Sequence, residues 1–155
     1  METTAMSPGD QADLFDLDAF LPYRLAVASS HVSREFAALY QEEFGISLPE
    51  WRILAHLSQT DRVSVRDIHK RVDMDKSKVS RAAARLERAG LVEKLLNPYD
   101  RRLVSLSLTG DGRALIARII PVALAFQEQL LARLDMDATV MVEGLDRLTQ
   151  LEPKL

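Results

Sequence analysis

Between Asp75 and Arg102 the chain reads DKSKVSRAAARLERAGLVEKLLNPYDRR, and few folds accommodate that stretch. Asp75 precedes a run in which Val79, Ala83 and Leu86 recur at three- and four-residue spacing, the pattern of a capped amphipathic helix. Gly90 ends the helix. Two strand candidates follow, Leu91–Leu96 and Leu103–Leu108, joined by NPYDRR. In the second, Leu and Ser alternate from Leu106 to Leu108, as a half-buried strand requires. The helix face opposite the apolar stripe carries Ser77, Arg81, Arg85 and Arg88, and the hairpin turn carries Asp100-Arg101-Arg102. A cationic helix followed by a cationic hairpin is a two-pronged grip on duplex DNA. The helix fits the major groove and the hairpin tip reaches the narrower minor groove.

The flanks are helical. Leu21, Leu25, Ala28, Val32, Phe36, Leu39 and Tyr40 describe a long amphipathic helix from about Pro22 to Phe44, stopped by Gly45. Ser47-Leu-Pro-Glu50 is a capping box for a second helix, about Leu48 to Ser58. Ser64 caps a short third, Val65 to Val72. After the hairpin, Thr109 begins a helix reaching about Arg133, with Pro121 expected to bend or break it. A last helix spans roughly Asp137 to Gln150. Asp73, Asp75, Asp135 and Asp137 read as turn and cap residues. The expected fold class is mainly α with a small β-hairpin (α+β), a helix-and-hairpin DNA-binding unit flanked by terminal helices. Residues 1–20 form a loose leader, 48–114 the DNA-binding region, and 21–47 with 115–155 a helical dimerisation region. The terminal helices are too long for a small three-helix core to cover, so a second copy of the chain is their economical partner. A two-fold dimer also presents two reading heads to successive major grooves about 34–36 Å apart.

The net charge of −3 hides a partition: residues 62–102 hold twelve Lys/Arg against six Asp/Glu, a local +6, which leaves −9 on the remainder. A basic middle between acidic ends orients docking on a polyanion. There is no cysteine, which excludes disulfides, thiolate metal sites and thiol-based sensing. The start, METTAMSPGDQADLFD, lacks the basic and hydrophobic stretches of a secretory signal. Uninterrupted apolar runs are only a few residues long, so no membrane span is expected. A cytoplasmic protein fits these features. No nucleophile elbow, phosphate-binding glycine loop or zinc-protease motif is present, and His56 and His69 lack the spacing of metal ligands. No enzymatic activity, cofactor or metal is expected.

Taken in order, D-x-S-x-V-S-R-x-x-x-R-L-E-x-x-G-L-V from Asp75, P-x-D-R-R from Pro98, and SLSLTGDGRALI ending in Ile116 resemble the MarR family of winged-helix transcriptional regulators. The likeness covers about Leu21 to Gln150 in element order and is strongest from Val63 to Leu115. It implies a winged helix-turn-helix domain and an obligate homodimer of triangular outline, built on the N- and C-terminal dimerisation helices. It also implies binding to a pseudo-palindromic operator in double-stranded DNA, usually repression, and release by a small phenolic or aromatic acid. The cysteine-based sensors of the family are excluded as a template by the missing thiol.

The expected DNA contacts are Lys76, Ser77, Lys78, Ser80 and Arg81 in the first turns of the recognition helix, with Arg85 further along it. A helix N-terminus attracts phosphate, the serine hydroxyls bond phosphate or base edges, and Arg81 and Arg85 have the reach for guanine. A solvated helix face is the alternative for the same residues. Arg88 is read as structural or solvent-exposed. Of Arg101 and Arg102, one enters the minor groove and the other pairs with Asp100; the resemblance gives Arg102 as the groove reader. A charged tip that only blocks edge pairing is the alternative. Arg62, Arg66 and Lys70, with Lys76, are phosphate-contact candidates. Arg24, His31, Tyr40, Trp51 and Arg52 are the candidates for an effector pocket, an aromatic wall with cations suited to an aromatic carboxylate or coenzyme A thioester. Ordinary core packing is the alternative for each. A winged-helix module for architecture or protein interaction, without a ligand, is the competing overall reading.

Overall fold

A computed structural model describes residues 15–60, 62–72, 74–96 and 104–150. Helix α1 spans Leu21–Phe44, α2 Leu48–Ser58, strand β1 Val63–Ser64, α3 Val65–Arg71 and α4 Lys76–Arg88. Strands β2 (Val92–Leu96) and β3 (Val104–Leu108) follow, then α5 (Gly110–Leu134) and α6 (Ala138–Thr149). The chain divides into two compact units, residues 1–38 and 39–155, with the division falling inside α1.

The second unit is a winged helix. Its sheet has the order β1-β3-β2, antiparallel throughout, with Val63 opposite Leu106 and Val92 opposite Leu108. The third strand, β1, goes beyond the expected hairpin; two residues carry no periodicity, and only their pairing with β3 makes them a strand. The pairing also makes β3 the middle strand, and Ser107 on it is buried alongside Leu106 and Leu108. Alternation therefore does not mark a wet face here. Ser107 Oγ donates to Glu93 Oε1 at 3.1 Å, which satisfies the buried hydroxyl.

The core of this unit is Tyr40, Ile46, Ile53, Leu54, Leu57, Ile68, Val79, Leu86, Val92, Leu106, Ile116 and Ile119. Caps set the helix starts as their sequences dictate. Ser64 accepts from Asp67 N, Asp75 from Lys78 N, Thr109 from Gly112 N and Asp137 from Thr139 N. Asp135 takes a left-handed turn, φ 48°, between α5 and α6.

A tight clasp joins the exit of α4 to the start of α5. Gly90, at φ +70°, turns the chain out of α4. Thr109 then donates from N to Leu91 O (3.1 Å) and from Oγ1 to Gly90 O (2.6 Å). Gly112 lies so close beneath that an added Cβ would sit 2.0 Å from Leu91 O. Only glycine permits that approach.

The break that Pro121 was expected to allow does not occur: helix α5 runs unbroken through it, and the proline removes a single amide donor from a 25-residue ladder. By length and composition α5 is also apolar enough to cross a membrane, with a mean hydropathy of 1.5 over its best window. Counting uninterrupted runs missed this because its few charged residues are dispersed among many apolar ones. Only 11% of that window is buried within the chain. Leu124 and Leu134 on α5, and Val140, Val142, Leu145 and Leu148 on α6, are exposed, and α6 buries nothing. In the first unit Phe20, Leu21, Tyr23 and Val27 are exposed as well.

Candidate nucleic-acid interface

Helix α4 separates its faces by helical geometry. Val79, Ala82, Ala83 and Leu86 are buried, while Lys76, Ser77, Lys78, Ser80, Arg81, Arg85 and Arg88 are exposed. The helix start is rigidly built. Asp75 accepts from Lys78 N at 2.8 Å and from Ser77 Oγ at 2.7 Å, and Lys78 Nζ lies 3.5 Å from its other oxygen. The bond from Lys78 N, then that from Ser77, drives the Asp75 carboxyl down to about 2. Ser77 and Lys78 thus help to shape the helix entry, while Lys76, Ser80 and Arg81 present their side chains to solvent.

Arg85 is placed differently from its neighbours. Its Nε donates to Glu50 Oε1 at 2.8 Å, tying the last turn of α4 to the first turn of α2. Glu50 Oε2 in turn accepts from Ser47 N and Ser47 Oγ, each at 2.6 Å, in the expected capping box. Burial opposes ionisation of Glu50, but the bonds from Ser47 and from Arg85 outweigh it and hold the carboxyl below its usual range. The sequence marked Glu50 as a cap partner only. Its bond to Arg85, 35 residues away, has no local signature. Arg88 Nε donates to Ala84 O at 3.3 Å, consistent with its structural reading.

Around the helix, Arg62 and Lys70 are exposed. Arg66 lies on α3, but its side chain is outside the described residues, as are Arg101, Arg102 and the whole turn between β2 and β3. Lys94 on β2 pairs with Glu87 on α4.

The effector-pocket residues fall in different units. Arg24 and His31 belong to the first, where both are exposed and Arg24 Nη1 donates to Asp18 O at 3.2 Å. Tyr40, Trp51 and Arg52 belong to the second. The rings of Tyr40 and Trp51 stack at 6.0 Å, and Arg52 Nη1 donates to Val72 O at 3.2 Å. Tyr40 is fully buried, and that burial pushes its hydroxyl up to about 12 against the opposing pull of Arg52. A cleft of about 460 Å³ in the second unit is lined by none of the five candidates, but by Leu57, Arg62, Leu95, Arg113, Ile116 and Ile120 among others. Among the described residues no group of three His, Asp or Glu is gathered as a metal site.

The MarR family model matches residues 44–103, which run from the end of α1 through the recognition helix to the end of the turn after β2. The solved structure of the MarR family transcriptional regulator SPO1453 from Silicibacter pomeroyi is 31% identical, with a TM-score of 0.72. That match covers 86% of this chain and 98% of the other. The chain belongs to the MarR family. The HTH-type transcriptional repressor MdtR of Bacillus subtilis is 34% identical over 71 residues, 46% of each chain. A structure of Bordetella bronchiseptica BpsR, a protein whose DNA binding is regulated by 6-hydroxynicotinic acid, shares the fold at a TM-score of 0.69. It is 21% identical and covers 82% of this chain and 99% of that one. The chain spans 65% or less of the length of the curated HTH-type relatives it matches. Those relatives are named as transcriptional regulators rather than enzymes.

Proposed function

We propose that this MarR-family chain is a cytoplasmic, sequence-specific DNA-binding repressor that acts as a homodimer on a pseudo-palindromic operator. The exposed cationic face of α4 in a winged helix carries this reading. Lys76, Ser77, Lys78 and Ser80 engage phosphates at the helix start, and Arg81 reaches a base edge. Arg101 and Arg102 serve the minor groove and Arg66 a phosphate. The exposed apolar residues of α5 and α6 supply the dimer surface, since solvent-facing side chains at this density are buried by association in soluble proteins.

An aromatic or phenolic acid, or its coenzyme A thioester, releases the repressor. The regulation of BpsR by a small aromatic acid supports this. In the second unit, half-buried Trp51 and Arg52 on α2 supply an indole and a guanidinium, the group types that suit an aromatic carboxylate.

Enrichment of bound duplexes from a random-sequence pool tests the reading. An imperfect palindrome with half-sites about one helical turn apart is the expected product. Lys76→Ala then lowers the salt dependence of binding to that duplex by about 1.8 in log–log slope, as loss of one phosphate contact from each subunit of the dimer requires. Enrichment of no sequence, with uniform coating of any duplex, overturns the repressor.

A further inference from the structure

Helices α2 and α4 pack against each other; α2 buries Ile53, Leu54 and Leu57, and α4 buries Val79, Ala82, Ala83 and Leu86. Two of these four α4 residues are alanines. Methyl groups allow close approach but interdigitate little, so apolar packing alone holds the rotation of α4 on α2 weakly. A directional bond also joins the two helices, Arg85 Nε to Glu50 Oε1 at 2.8 Å. The Glu50 side chain is 11% exposed and anchored at its other oxygen by Ser47 N and Oγ. The Arg85 end is 47% exposed, so the pair is fixed at the α2 side and reaches outward to α4. The Nε edge is one with which a guanidinium makes bidentate contacts, and Glu50 already occupies it.

We propose that Glu50 and Arg85 form a strut that sets the pitch of the recognition helix against α2. Arg85 then serves DNA recognition as a positioning residue, through the orientation of Lys76–Arg81, rather than by reading a base. The inference rests on the DNA-binding reading above. It reassigns one cation of the recognition face and gives the capping carboxylate of α2 a second task.

The test uses the full chain and the duplex enriched by the unaltered protein. Affinities for that duplex and for a scrambled one are measured across a salt series for Glu50→Gln, Arg85→Ala and the double variant. Glu50→Gln preserves side-chain volume and leaves every side chain of the cationic α4 face in place, so it separates strut from contact. A strut predicts that each single change weakens the enriched duplex by a similar factor, roughly tenfold, and that the double is no worse than either single. Affinity for scrambled DNA and the salt slope stay unchanged. A normal affinity for Glu50→Gln, with Arg85→Ala losing preference at one base position of each half-site or about 1.8 of salt slope, makes Arg85 a direct contact and overturns the strut. Multiplicative losses in the double variant overturn it too. A drop in melting temperature with the enriched-to-scrambled ratio intact reduces the pair to a stability element and also overturns it. Failure of the unaltered chain to enrich any sequence defeats the DNA-binding reading itself, a result distinct from all of these.

Discussion

Gly112→Ala probes the clasp between the exit of α4 and the start of α5. The new Cβ would meet Leu91 O at 2.0 Å, Leu91 C at 3.0 Å and Leu108 Cδ2 at 3.2 Å. The first two are backbone atoms, so no rotamer change relieves the clash, and the α5 entry must withdraw by more than an ångström. Withdrawal strains the bond from Thr109 N to Leu91 O and the Thr109 cap on Gly112 N. Overpacking of this kind costs about 1–3 kcal/mol, and loss of a threonine cap adds about 1–2 kcal/mol. The destabilisation is then about 2–5 kcal/mol. For a chain of this length each kcal/mol lowers the melting temperature by about 2–4 °C, so a fall on the order of 10 °C is expected. Calorimetry at matched protein concentration reads it, because melting of an associating chain depends on concentration. Gly110→Ala is the control. Its Cβ meets nothing within 4 Å, and the lower entropy of the unfolded chain makes it neutral or slightly stabilising. Two variants that melt within a degree of each other would refute the clasp as a steric requirement.

Two further outcomes follow from other parts of the molecule. Asp75 has its folded-state value lowered from 3.8 to about 2, so it contributes stability that is present above pH 4 and lost as pH falls through about 2. Asp75→Asn keeps a capping oxygen, and its denaturation midpoint should therefore change less between pH 4 and pH 2 than that of the unaltered chain; parallel curves would contradict the assignment. Leu145→Glu places a charge among the exposed apolar residues of α6, where the chain itself covers nothing. Sedimentation should show a monomer that retains its helical circular dichroism, whereas an intact dimer would move the interface elsewhere.

What the sequence disclosed and what it withheld divide along the range of the interactions. Asp75, Ser64, Thr109 and Asp137 were readable as caps because each partner lies two or three residues away. The buried stripe of α4 was readable from its period, and only Ala82 was added, since alanine weighs little in any hydrophobic pattern. Strand β1 was not readable, because Val63 and Ser64 become a strand only against Leu106 and Ser105. Ser107 looked solvent-facing by alternation, but it is buried, with its hydroxyl bonded to Glu93 across the strand pair. The task of Glu50 was half visible: its cap is local, and its bond to Arg85 is not. Tyr40 and Trp51 were grouped as pocket lining; their rings stack, and the full burial of Tyr40 makes it part of the core that Trp51 stacks on.

The clasp at Gly112 has a kinematic consequence. Helix α5 is 25 residues long, about 37 Å from end to end, and its first turn is bonded to the residues that leave α4. It behaves as a lever hinged at the reading head. A rotation of ten degrees at that joint sweeps the far end through about 6 Å, and a displacement of the far end returns as a small angular change near α4. Geometry therefore gears the two ends: coarse movement among the terminal helices becomes fine adjustment at the recognition helix.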